Sequence, residues 1–173
     1  MSKAKWVLAG ILLLNISAFA QDAPKAEFSA GYSYLRLGGS GGTNQNGGSF
    51  SIAGNLNRWF GIVGDVGFYH SSLSGLGLNT ETFMGGPRFS ARSSRATPFV
   101  QMLVGGARLA AGYNGLSASV TPFALSAGGG VDLKVSKHVA FRPEVDYIAM
   151  RYRGQTGNAA RASFGIVYRF GSR

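Results

Sequence analysis

The chain contains no cysteine, which excludes disulfide bonds, thiolate metal sites and a lipid-modified cysteine at the amino terminus. Charged residues are scarce, at 14% of the sequence against about 25% in an average soluble domain. Acidic residues are the scarcest, with 7 Asp and Glu against 17 Lys and Arg. This composition does not favour a water-facing surface rich in Lys and Glu, as a soluble protein usually has.

The chain also lacks an apolar run long enough for a spanning helix, which needs about 20 residues. Its longest apolar run, Trp6 to Phe19, follows a basic start and ends at a site of small residues. This pattern predicts a secretory signal peptide over residues 1–20 and a short lead segment over 21–26. An amino-terminal membrane anchor is the alternative. The pattern consists of Lys3 and Lys5 in the basic region, and of Ala18, Ala20 and Gln21 at the cleavage site.

Glycine and apolar side chains are abundant instead, with 27 glycines and an apolar share of 45%. Segments of about ten residues alternate between apolar and polar side chains, which is the length of a tilted transmembrane strand. About eight such segments predict an all-β domain over residues 27–170, with a tail over 171–173; ten strands are the alternative. Pro87 lies within one segment and predicts an edge or a bulge there, because proline cannot donate to a strand ladder.

Two kinds of connection separate the segments. Short polar turns are predicted at Asn57-Arg58, at Arg92 to Ala96 and at Val135 to His138. The connections between them are richer in Gly, Ser and Asn and are predicted to be long flexible loops. These four predicted loops are Gly38 to Gly47, Ser71 to Leu78, Ala110 to Thr121, and Met150 to Asn158.

The final strand carries a specific pattern: Ser163, Gly165, Tyr168 and Phe170, with the two aromatic residues on its apolar face. This pattern resembles the C-terminal β-signal of Gram-negative outer-membrane barrels. The segments Gly128 to Tyr147 and Phe83 to Arg92 likewise resemble the small outer-membrane β-barrel-domain family of the OmpA and OmpX type. The resemblance implies an eight-stranded antiparallel up-and-down transmembrane β-barrel, exported and then inserted by the barrel-assembly machinery. It also implies that the short turns face the periplasm and that the long loops face outward.

In such a barrel the apolar side chains meet lipid and the opposite parity fills the lumen. A secreted lipocalin-like barrel, apolar inside, is the alternative. Small residues on the polar parity suit a cramped lumen, and aromatic residues near strand ends, among them Trp59, Tyr69 and Tyr147, suit an interfacial girdle. An unpaired charge inside is costly, so we predict a network of ion pairs among the lumen charges. These are Asp65, Arg88, Asp132, Arg142, Glu144, Asp146 and Arg161.

The net charge of +10 is spread over strand ends and turns and forms no cluster interleaved with aromatics. This spacing argues against nucleic-acid binding, which needs a continuous basic patch, and favours lipid headgroups and lipopolysaccharide phosphates as partners. No cofactor-binding or metal-binding motif is present. The predicted role is therefore structural or surface interaction without enzymatic activity, through outward loops whose partner the sequence does not identify.

Two alternatives to this role rest on particular residues. His70 and Ser72 have a base-and-nucleophile arrangement that an outer-membrane lipid A acyl hydrolase could use, with Glu81 orienting the histidine. A narrow channel is the second alternative, and Leu35 and Met84 would constrict it. An eight-stranded barrel is normally filled by side chains, which disfavours a general pore.

Overall fold

The computed structural model describes residues 24–38, 42–73, 76–113 and 116–171, and the predicted signal peptide and its cleavage residues lie outside these ranges. No helix among the described residues is long and apolar enough to cross a membrane. Antiparallel strands form most of the described chain. They are β1 (Ala26–Leu37), β2 (Asn44–Asn55), β3 (Phe60–Leu73), β4 (Leu76–Ser90), β5 (Ala96–Tyr113), β6 (Leu116–Val120), β7 (Phe123–Lys134), β8 (Val139–Tyr152) and β9 (Gln155–Phe170).

The strands close into a barrel in which each pairs with its sequence neighbours and β1 pairs with β9. The short strand β6 and the strand β7 both pair with β5, in one unbroken register that runs from Leu109↔Val120 to Gly106↔Phe123. The two together form a single barrel strand, so the barrel has eight strands. The predicted eight-stranded antiparallel topology is confirmed.

Prolines interrupt hydrogen bonding in the barrel without shifting its register. Pro122 separates β6 from β7 because it has no N–H to donate, while its carbonyl still accepts a hydrogen bond from the Ala107 N–H at 3.1 Å. Pro87 lies inside β4 and is paired with Ile62 of β3. On the other side, the β4–β5 pairing skips Gly86 and Pro87 and resumes at Arg88↔Gln101 in the same register. The predicted edge or bulge at Pro87 is therefore wrong, because closure leaves no edge there and the register does not shift.

Apolar and polar side chains separate onto the two faces of the barrel wall. Large apolar residues such as Phe28, Ile52, Val100 and Ile166 face outward and are exposed. Charged, small and hydroxyl side chains face the lumen, which excludes the lipocalin-like alternative. Tyr69, predicted to belong to an interfacial girdle, instead points into the lumen and is 3% exposed. Its position two residues beyond an inward glycine places it on the lumen parity, which its closeness to the strand end had masked.

The four segments predicted as long loops differ most from the structure. Strands occupy most of those segments, as in β5 and β6, which pair up to Tyr113↔Leu116, and in β8 and β9, which pair up to Tyr152↔Gln155. Above the apolar band both faces of a hairpin meet water, so Gly, Ser and Asn can form strand there without apolar alternation. One end of the barrel therefore carries protruding hairpins, while the other end carries the short turns.

Candidate functional site: the lumen network and the mouth at the hairpin end

The lumen holds a complete set of buried charges. The seven predicted residues all lie there, and three more charged side chains join them. Five carboxylates are matched by five guanidinium groups, so the set is formally neutral. The members are Glu27, Asp65, Asp132, Glu144 and Asp146, with Arg88, Arg92, Arg142, Arg161 and Arg169.

Arg161 organises the first of two clusters in this set. Its Nη1 lies 2.6 Å from Asp65 Oδ1, and its Nη2 lies 2.9 Å from Asp146 Oδ2 and 3.4 Å from Glu144 Oε1. The Arg161 side chain is fully buried, although it comes from β9 while the acids come from β3 and β8. One guanidinium group therefore links strands on different sides of the lumen.

Gln101 extends this cluster to an arginine that contacts no carboxylate directly. The Gln101 Nε2 donates to Glu144 Oε1 at 2.9 Å and to Asp146 Oδ1 at 3.1 Å. Its Oε1 accepts from Arg88 Nη2 at 2.7 Å and from Arg88 Nε at 3.0 Å. The Gln101 amide thus connects the Arg88 guanidinium to two acids by hydrogen bonds and belongs to the network.

The second cluster lies toward the end with the short turns. Arg142 binds Asp132 through Nε at 2.5 Å and through Nη2 at 2.8 Å. Its Nη2 also lies 3.2 Å from Glu27 Oε2, whose other oxygen is 3.0 Å from Arg92 Nη1. Arg169 completes the group at 3.2 Å from Asp132. The cluster joins β1 to β7, β8 and β9 and to the turn before β5, which closes this end of the lumen.

Phe99 lies between the two clusters and connects them through its ring. The Arg88 guanidinium carbon is 4.3 Å from the ring centroid, and the Arg142 guanidinium carbon is 4.7 Å from it. Both distances are within the range of cation–π attraction, which is stronger in desolvated sites. The ring therefore attracts both guanidinium groups, one from each cluster.

Sequence reasoning missed Glu27, Arg92 and Arg169 as members of the network. Glu27 and Arg169 were available from parity, since each alternates with an outward aromatic neighbour, Phe28 and Phe170 respectively. Arg92 was not, because it belongs to a turn predicted to be solvated. Its side chain nevertheless folds back under the barrel to Glu27, and strand alternation carries no information about such a return.

Apolar side chains also fill part of the lumen, in direct contact with the level of the charges: Leu35 pairs in register with Arg161, and Met84 pairs with Asp65. Leu35 and Met84, predicted to constrict a channel, are both buried in the lumen. They pack in one cluster with Tyr69, Leu103 and Ile148, together with smaller side chains. Ionic and apolar side chains thus both occupy the described lumen.

The residues of the hydrolase hypothesis do not form a catalytic arrangement. The His70 Nδ1 is 2.7 Å from Asn79 Oδ1. Glu81 forms an exposed pair with Arg108 at 3.8 Å. Ser72 is exposed on the outward face, on the same parity as His70. Within the described ranges, no group of three or more His, Cys, Asp or Glu side chains could hold a metal ion.

The mouth at the hairpin end, called the outer mouth because the resemblance predicts that the hairpins face outward, contains a cleft of about 260 Å³. Its walls are mainly apolar and include Leu37 on one side and Leu109 and Val120 on the other. Basic residues predominate at this end: Arg36, Arg108, Arg151 and Arg153 are exposed. The mouth therefore combines an apolar interior with a basic rim.

The residues of the C-terminal pattern lie at the seam where β1 meets β9. Ser163 Oγ is 2.8 Å from Ser33 Oγ, and Gly165 is the direct partner of Gly31. Tyr168 and Phe170 point outward, with ring centroids 4.7 Å apart in an edge-to-face arrangement. The pattern thus places small residues inside the seam and aromatic residues on its outer face.

Sequence comparison identifies the family. The profile of the outer membrane protein β-barrel domain matches residues 6–170, nearly the whole chain. The chain belongs to this family. No curated protein sequence matches it.

Solved structures of outer-membrane proteins share the fold. Neisserial surface protein A (NspA) aligns with a TM-score of 0.72 at 14% identity, over 84% of this chain and 97% of that protein. Ail of Yersinia pestis aligns with a TM-score of 0.63 at 16% identity, over 86% of this chain and 99% of Ail. OprG of Pseudomonas aeruginosa gives 0.57 at 10% identity, over 88% and 99%. At these identities the likeness establishes the shared barrel, while function has to be argued from this chain's own residues.

Proposed function

We propose that the protein is an integral outer-membrane barrel with a closed lumen, and that its role is structural or surface interaction through the protruding hairpins. The observation that supports this proposal is the set of buried side chains in the described lumen, which combines a neutral ion-pair network with an apolar cluster. A filled barrel acts as a rigid support, and contacts with other molecules are then made by the hairpins at its end. Export by the predicted signal peptide and insertion by the barrel-assembly machinery are parts of the same proposal.

Lipid and lipopolysaccharide are the proposed partners of the barrel exterior and of its basic rim. Exposed aromatic and aliphatic side chains cover the outer wall, as in Phe50, Phe83 and Val145. Arg36, Arg151 and Arg153 follow where the apolar outward positions end, at the level of anionic headgroups. Nucleic acid is not a proposed partner, because these cations are distributed around a rim instead of along one groove.

Gel mobility tests the architecture, and conductance tests the closed lumen. A folded barrel in detergent should migrate differently before and after boiling, because its closed ladder of strand hydrogen bonds resists SDS until the sample is heated. In planar bilayers the protein should show no stable, reproducible openings. Mobility unaffected by heat would contradict the folded barrel, and regular openings would contradict the occluded lumen in favour of a channel.

Lipid A deacylation is the test of enzymatic activity. We expect purified protein to release no acyl chains from lipid A, since His70 hydrogen-bonds to Asn79 and Glu81 pairs with Arg108. Acyl release that disappears in the Ser72→Ala variant would contradict this expectation.

A further inference from the structure

The β5–β6 hairpin presents an edge strand above the rim of the barrel. Each longer strand of the wall has a neighbour on both sides over most of its length, but over the described residues β6 pairs with β5 alone. On its other side the neighbouring strand ends early: β7 pairs with β8 up to Phe123↔Arg151, and the chain then turns at Arg153 and Gly154. The β6 strand therefore extends past the end of β8.

The register determines which main-chain groups are unpaired. In an antiparallel ladder, hydrogen-bonded pairs alternate with pairs whose N–H and C=O groups point away. Ala107 and Pro122 are a hydrogen-bonded pair, so Val120 and Ala118 also bond toward β5. Ser119 and Thr121 consequently direct their N–H and C=O groups to the free side. An extended chain laid along this side would find donors and acceptors at strand spacing.

This edge also lacks the devices that normally protect one. Proteins blunt exposed edges with charged residues, prolines or bulges, whereas residues 116–120 read Leu-Ser-Ala-Ser-Val. Pro122 does not protect it, because its missing N–H is on the side of β5. Ala118, Ser119 and Val120 are all exposed, with Val120 at 41%. The edge is therefore accessible from both faces.

The inward face of the hairpins gives an added strand its side-chain preference. Two rows run across the sheet and end at β6: one joins Thr80, Leu109 and Val120, and the other joins Leu78, Ala111 and Ala118. Both rows line the cleft at the outer mouth. A strand paired with β6 would extend the rows, so its alternate residues would face the cleft and should be apolar.

The charges nearby set the preference for the other face. Arg151 and Arg153 lie at the β8–β9 turn, next to the base of the free edge, and both are exposed. Glu81, the one acidic side chain exposed at this end among the described residues, is already paired with Arg108. The residues between the apolar positions of an incoming strand should therefore be acidic.

We propose that β6 binds an extended segment of another protein by strand addition, with apolar residues at alternate positions and acidic residues between them. Main-chain hydrogen bonds would supply affinity and the alternate side chains specificity, as in other strand-addition complexes. This inference rests on the proposed surface-interaction role, because the hairpins must face outward and remain free.

A synthetic peptide tests the proposal on the full-length protein in lipid nanodiscs, where no detergent occupies the cleft. The probe is a fluorescent seven-residue peptide that alternates Asp and Val, and its control has the same composition with the valines grouped together. Fluorescence anisotropy should show saturable binding of the alternating peptide, and binding of the grouped peptide weaker by about tenfold. Equal binding of both peptides, or no binding of either, would overturn strand addition.

Ser119→Pro removes an N–H that faces the free side and leaves the β5 ladder intact, while Ser119→Ala keeps that N–H. We expect the proline variant to bind the peptide at least about tenfold more weakly and the alanine variant to bind like the parent. Unchanged binding of the peptide by Ser119→Pro would reject the proposal. Displacement of the peptide by a fatty acid with equal potency in both variants would also reject it, because the cleft would then bind an amphiphile. Heat-modifiable gel mobility is checked for each variant as a test of folding. If the parent protein lacks heat-modifiable mobility, the proposed barrel itself is refuted. If the parent protein shows this mobility but does not bind the peptide, strand addition alone is refuted.

Discussion

Replacement of Arg161 by alanine tests the lumen network most directly. Arg161 contacts Asp65, Asp146 and Glu144 at 2.6, 2.9 and 3.4 Å and is buried with them. With charges about 4 Å apart and an effective dielectric constant of about 20, each attraction is about 4 kcal/mol. The desolvation of the arginine, which the substitution relieves, offsets much of this sum. The three acids left behind remain buried without that cation, and we expect a net loss of about 3–5 kcal/mol.

Urea unfolding of the protein refolded into lipid vesicles measures this loss. For a slope of about 2 kcal/mol per molar, a loss of about 4 kcal/mol lowers the midpoint by about 2 M. Arg108→Ala is the matched control, since it removes the same side chain from an exposed pair with Glu81 at 3.8 Å. That pair should contribute about 1 kcal/mol or less. If the Arg161→Ala midpoint falls no further than the control, the buried network does not stabilise the barrel and the reasoning fails.

Three further substitutions test separate parts of the interior. Asp146→Asn should lower the urea midpoint more than Glu144→Gln, because Asp146 is 2.9 Å from Arg161 and Glu144 is 3.4 Å away; the reverse order would contradict the assigned geometry. Phe99→Leu removes the ring between Arg88 and Arg142 and should lower the free energy of unfolding by about 1–3 kcal/mol. In the control Tyr152→Leu, the ring that is lost lies 5.4 Å from Arg153 in an exposed site, and the loss should be about 0.5 kcal/mol. Equal urea midpoints for the two variants would count against a desolvated cation–π site. Gly31→Ala places a Cβ against the Phe164 carbonyl at the β1–β9 seam and should reduce the yield of folded barrel on gels. Gly64→Ala is the control and should fold like the parent, because the nearest atom to its new Cβ is Ile52 Cγ2 at 3.8 Å. Similar yields for the two variants would show that the seam can adjust.

The barrel wall could be predicted from the sequence because alternation is a local signal that closure preserves. Once Phe123 and Leu125 face outward, Asp132 must face inward along the same strand, and the structure shows this arrangement. The same rule placed Arg142 and Arg161 in the lumen although 18 residues of chain separate them. Which acid each arginine contacts depends on the registers between strands, and those are not visible in any single segment.

The ends of the barrel were predicted less well because their physics differs from that of the wall. A hairpin beyond the apolar band has water on both faces, so its strands lose the alternation by which strands are recognised. The residues Leu116–Val120 were therefore predicted as loop although they form β6. Arg92 shows the opposite case, in which a residue of a polar turn enters the lumen to meet Glu27. In both cases the tertiary surroundings of the residues determine their conformation, and these surroundings cannot be inferred from local composition.

The distribution of charge gives the lumen and the exposed surface of the barrel different roles. Five of the seven acidic residues lie in the lumen, where five arginines neutralise them, so the net charge of +10 belongs entirely to the remainder of the chain. Buried neutral pairs hold strands together and exert little field outside, whereas exposed cations without matching acids attract anionic groups. Among the described residues the exposed surface is therefore poor in acids, and this is the basis for the proposed preference of the rim for anionic lipids and acidic segments.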